Sequence, residues 1–88
     1  MVVDNIHSHI RQDLIKNEKD LLGMRHYYTH KFRSSNRYID INVGIFIDEK
    51  QRYVAQIYVA DRKNRIRERL VIENDRIVDT DIIIKRYE

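Results

Sequence analysis

Ile39, Ile41, Val43, Ile45 and Ile47 occupy every second position of one stretch, and Asp40, Asn42, Gly44, Phe46 and Asp48 fill the positions between. Strict alternation of this kind belongs to a strand with one buried face and excludes a helix, whose apolar positions recur at intervals of three and four. Tyr53, Ala55, Ile57 and Val59 repeat the pattern, as do Ile66, Leu70 and Ile72. The last stretch, Ile77 to Tyr87, is apolar on both parities at Ile82-Ile83-Ile84.

Register follows from parity, because a one-residue slip would turn a strand inside out. An odd loop around Glu49-Lys50-Gln51 sets Ile47 opposite Tyr53, Ile45 opposite Ala55, Val43 opposite Ile57 and Ile41 opposite Val59. An even loop at Asp61-Arg62-Lys63-Asn64 places Val59 opposite Ile66. An odd loop around Asn74-Asp75-Arg76 puts Ile72 by Val78, Leu70 by Thr80 and Ile66 by Ile84. Glu68 is the misfit, a carboxylate on the core face beside Ile57 without an evident partner.

The first quarter of the chain has a different period. Ile6, Ile10, Leu14 and Leu21 fall at helical spacing, and Ile15 and Leu22 widen the stripe. Asp4 reads as the N-cap and Gly23 as a left-handed stop, which predicts one helix over residues 5–22, with Asn17 and Glu18 on a less buried turn. Residues 25–33 are expected to add an edge strand, with His26, Tyr28, His30 and Phe32 inward and a two-residue loop at Ser35-Asn36. The expected fold is α+β, an N-terminal amphipathic helix packed on a four- to five-stranded antiparallel β-meander, forming one domain over residues 1–88.

With 42% hydrophobic residues the chain has too much apolar content for disorder, yet 88 residues make only a small core. A partner or self-association would add stability, and a homodimer is expected through the apolar belt of Phe46, Val54 and Val71. The chain has no cysteine, its start lacks the basic-then-apolar pattern of a signal peptide, and no apolar run nears the roughly 20 residues that span a bilayer. The expected location is the cytoplasm.

The net charge of +3 is less informative than its distribution. Arg25 to Arg37 holds four bases and no acid, and Arg62 to Arg69 holds five bases against Glu68 alone. The same register turns Phe46, Tyr58, Arg65, Arg67 and Arg69 away from the helix, joined by Arg25 and Tyr27 if residues 25–33 form a strand. Asp40, Asp48, Glu73, Asp79 and Asp81 share this face, and Arg69 opposes Asp81. A solvated sheet face also carries arginine stems over tyrosine rings, and charged strands resist edge-to-edge aggregation, so the pattern has an ordinary structural reading. The functional reading is a binding surface formed by Arg25, Tyr27, Phe46, Tyr58, Arg65, Arg67 and Arg69. Its partner would be acidic, either a protein patch or a nucleic acid.

Catalytic and metal motifs are weak. His7 and His9 stand about 200° apart around a helix, and His26 and His30 would lie roughly 13 Å apart along a strand, so no metal site is expected. Gly23 and Gly44 stand alone, with no phosphate loop. No cofactor is implied. The expected function is that of a small non-enzymatic binding or regulatory protein. One alternative is a metal-independent ribonuclease using His26, His30, Tyr28 or Arg67. Another, suggested by size and composition, is an inhibitor of the kind that phages and viruses direct at a host enzyme.

Overall fold

A computed structural model describes residues 2–87; Met1 and Glu88, at the ends of the expected domain, lie outside it. Helix α1 (Val2–Lys16) buries Val3, Ile6, His7, Ile10 and Leu14 on one stripe. It starts ahead of the expected cap. Asp4 sits inside the first turn, where a carboxylate complements the helix dipole, and it binds the Arg86 guanidinium at 2.7 Å.

The single helix expected over 5–22 is divided. Asn17 leaves helical geometry at φ −113°, ψ 34°, and its side-chain amide donates to the Asp13 carbonyl at 2.9 Å. An asparagine amide that competes for a backbone carbonyl in this way favours a helix end over a helix interior. A 3₁₀ segment follows (Glu18–Gly23), which turns Leu21 back into the core. Gly23 closes that segment without a positive φ, so the left-handed stop does not form.

Helix α2 (Arg25–Ser35) replaces the expected edge strand. Met24, Tyr28 and Phe32 all pack on the core, and their spacing of four is the helical signal. The alternation of His26, Tyr28, His30 and Phe32 coincides with it at two positions. Only the buried set distinguishes them, since His26 and His30 are exposed.

Four strands follow: β1 (Asp40–Ile47), β2 (Tyr53–Ala60), β3 (Asn64–Glu73) and β4 (Arg76–Arg86). They form one antiparallel sheet in chain order, with α1 packed on β2 and β3 and α2 on β1. The structure is thus an N-terminal helical layer on a four-stranded antiparallel meander. Ile41, Val43, Ile57, Val59, Ile66, Leu70 and Ile72 face the helices and are buried. No helix among the described residues is long and apolar enough to cross a membrane.

The parity argument reproduces the β1–β2 and β2–β3 registers residue for residue, from Ile41↔Val59 to Val59↔Ile66. The last hairpin matches at Leu70↔Thr80 and Ile66↔Ile84 but departs at its tip. There Ile72 pairs with Ile77, a bulge leaves Val78 unopposed, and the loop is the two residues Asn74-Asp75. Both have positive φ, 54° and 62°. A two-residue loop with both residues left-handed matches the twist of its strands, and Asn and Asp tolerate that geometry better than most residues. The bulge reconciles this turn with the core parity beyond it.

Candidate binding face and buried carboxylate cluster

Register brings the chemistry of the open sheet face into rows. Asn42, Tyr58, Arg67 and Ile83 stand side by side across the four strands. Gly44, Gln56, Arg69 and Asp81 form the next row, and Phe46, Val54, Val71 and Asp79 the one after. In the other direction lie Asp40, Ala60, Arg65 and Lys85. The Tyr58 ring has the Arg67 guanidinium 5.4 Å and the Arg65 guanidinium 5.9 Å from its centre, within cation–π range.

A trough of about 640 Å³ runs over this face, lined among others by Asn42, Gly44, Gln56, Tyr58, Arg67 and Arg69. Gly44 keeps it open: a Cβ there would meet nothing within 4 Å, so no packing contact excludes a larger side chain.

Acids on the face are engaged unequally. Asp48 caps the β1–β2 turn, accepting from the backbone N–H groups of Lys50 and Arg52, each at 2.9 Å. The Arg52 N–H in particular holds its carboxyl below the usual carboxylate range. Asp40 meets Arg33 of α2 at 3.6 Å, between two exposed side chains. Asp81 stands opposite Arg69 in register, but the two do not close to an ion pair. Among the described residues Arg65, Arg67 and Arg69 form no ion pair with any carboxylate.

Five of the seven expected surface residues therefore share one face: Phe46, Tyr58, Arg65, Arg67 and Arg69. Arg25 and Tyr27 do not join them. They lie on α2, in the helical layer, where the Tyr27 ring packs edge-on to Tyr28 and lies 5.5 Å from the Lys31 ammonium. The apolar belt also changes character. Val54 and Val71 are already buried, which leaves Phe46 as its exposed member.

The residues considered for RNA cleavage are dispersed. Tyr28 is wholly buried, its hydroxyl has no hydrogen-bond partner among the described residues, and burial pushes its phenol up to about 12, with Asp13 and Tyr27 adding to the shift. A phenol so placed is poorly suited to carry protons for a substrate. His26 and His30 are exposed one helical turn apart on α2, closer than the strand reading implied, while Arg67 lies across the sheet. No third histidine or acid joins the two histidines in a ligand set among the described residues.

The misfit Glu68 has its partners in the helix. Its Oε1 accepts from Nε2 of His7 at 2.9 Å, Nε of Arg11 donates to both carboxylate oxygens at 3.1 and 3.0 Å, and the Thr80 hydroxyl donates to Oε2 at 2.6 Å. Burial alone would raise this carboxyl. The hydrogen bonds from His7, Thr80 and Arg11, with the charge of Arg11, outweigh burial and hold it at about 2. Glu68 is 1% exposed, so the cluster offers no opening to a substrate and acts as a pin between α1 and the sheet. The readable signal was the pair His7 and Arg11, four apart beside the buried stripe of α1.

Compared with known proteins, the chain matches no family model, no curated protein and no solved structure.

Proposed function

We propose that this chain is a cytoplasmic, non-catalytic binding module whose open sheet face contacts an acidic macromolecular partner, with nucleic acid the best-fitting chemistry. One observation carries this reading. The Tyr58 ring, which lines the trough, has the Arg67 and Arg65 guanidinium groups 5.4 and 5.9 Å from its centre, and neither guanidinium is neutralised by a carboxylate among the described residues. Phosphates attract such guanidinium groups, and an aromatic ring among them offers a surface on which a base stacks. The amides of Asn42 and Gln56 in the same trough add neutral donors and acceptors. An acidic protein patch would use the same arginines with less stacking.

The test is fluorescence anisotropy with labelled single-stranded oligonucleotides and with polyglutamate over a salt series. A nucleic-acid partner gives a steep fall of affinity with salt through counterion release, whereas a mixed protein interface loses less. Neutralising both arginines, R65Q together with R67Q, should lower the salt slope by about 2. Reversing both charges should abolish measurable binding while the thermal midpoint stays close to the parent's, because both side chains point away from the core. Undiminished binding by the reversed variant would remove the face from consideration.

A further inference from the structure

The two edges of the sheet are not equivalent. α2 packs on β1, whereas β4 pairs with β3 at the far edge and reaches α1 through Arg86 on Asp4 and through the hydrogen bond of Thr80 to Glu68. β4 is also the longest strand, running from Arg76 to Arg86. At its centre Ile82, Ile83 and Ile84 are 44%, 52% and 49% exposed. Edge strands are normally blunted by a lysine, a proline or a bulge in mid-strand. Here the bulge lies near the hairpin end, beside Ile72, and the charges of β4 flank the three isoleucines, so the run itself holds no charge, proline or bulge.

The free backbone groups of this edge follow from one hydrogen bond. The Tyr87 N–H donates inward to the Lys63 carbonyl. In an antiparallel ladder inward and outward residues alternate, so Asp81, Ile83 and Lys85 bond to β3. Thr80, Ile82, Ile84 and Arg86 then direct N–H and C=O groups to the open side.

The charges along β4 specify what kind of strand fits. Past the bulge, Asp79 and Asp81 form an acidic half ahead of the isoleucines and Lys85 and Arg86 a basic half after them, while Arg76 lies on the hairpin side of the bulge. A second copy laid antiparallel sets the acidic half of each strand against the basic half of the other. A parallel copy would set like against like.

We infer that the chain forms a two-fold symmetric dimer by antiparallel pairing of β4 with β4 of a second copy, centred on Ile83. In this register Ile82 hydrogen-bonds with Ile84 of the other copy, twice by symmetry, on the side facing the helices. Asp81 opposes Lys85 and Ile83 opposes Ile83 on the open side, where paired residues lie closest. Centring on Ile82 instead would oppose Asp81 to an isoleucine, so the side chains favour the first register. The two-fold axis runs perpendicular to the sheet, making it eight-stranded and closing β4 to further pairing. It also brings both copies of Arg65, Arg67 and Lys85 onto one continuous face. The dimer rests on β4 alone and stands or falls independently of what that face binds.

Sedimentation equilibrium of the full chain without ligand should show a dimer at micromolar concentration. Ile83→Lys puts two ammonium groups side by side on the axis and should raise the dissociation constant roughly a hundredfold. The same variant should keep the parent's circular dichroism, since residue 83 is solvent-facing in the monomer. The chain has no cysteine, so a single Ile83→Cys gives a clean reporter. A closely spaced antiparallel pair suits a disulfide, and I83C should cross-link on mild oxidation while I82C should not. A monomer at about 100 µM, a scale at which a specific dimer is populated, overturns the inference. So does a dimer indifferent to I83K, or cross-linking at residue 82 in preference to 83.

Discussion

Glu68 of β3 accepts a hydrogen bond from Nε2 of His7 at 2.9 Å, joining residues 61 positions apart in the chain. Arg11 and Thr80 complete the set, so one carboxylate ties together α1, β3 and β4. Its carboxyl titrates at about 2, against 4.5 for an ordinary glutamate. A depressed folded-state value contributes stability that is fully present above the unfolded value and is lost as pH falls through the folded one. Between pH 4.5 and about 2 the parent should therefore lose roughly 3 kcal/mol that Glu68→Gln does not lose. Urea denaturation of both proteins at several pH values measures the difference. Parallel pH profiles would mean that the cluster is not the pin described.

Val43 is 2% exposed at the middle of the helix-facing surface, paired with Ile57. Val43→Ala should cost roughly 1–3 kcal/mol through lost methyl burial and the residual cavity. A change within about 0.5 kcal/mol in denaturant titration would contradict its place in the core.

Asp75 holds φ 62° in the β3–β4 turn, and its backbone N–H donates to the Glu18 carboxylate at 2.7 Å. Asp75→Gly keeps that N–H and removes the left-handed penalty of a side chain. Asn-Gly is the preferred pair for this turn, and a gain of about 0.5 kcal/mol is expected in thermal denaturation. A loss of stability would show that the Asp75 side chain contributes more to the turn than its left-handed backbone costs.

Gly44 separates folding from binding. Valine there meets open space and raises strand propensity, so Gly44→Val should leave stability equal or up to about 1 kcal/mol higher. Its methyl groups project into the trough beside Gln56. Anisotropy should then show weaker oligonucleotide binding by a protein at least as stable as the parent. Unchanged affinity would place the contact outside the trough.

Alternation and loop parity were enough to place the four strands and most of their register. A period of two has only two phases, and one buried face selects between them, so Ile41↔Val59 and Val59↔Ile66 were legible from alternation and loop parity. The clustering of Phe46, Tyr58, Arg65, Arg67 and Arg69 on one face came with that register, because it depends on backbone phase alone. Tertiary structure decided the rest. Between Gly23 and Ile39, Tyr28 and Phe32 satisfy both periods, and only packing of Met24, Tyr28 and Phe32 against the core selects a helix, which takes Arg25 and Tyr27 off the sheet face. The hairpin tip obeys turn geometry within two residues and absorbs the mismatch as a bulge, a compromise that parity cannot anticipate. Glu68 looked like an error in its strand because its partners lie on another element, and a buried charge becomes tolerable only when the fold brings His7 and Arg11 to it.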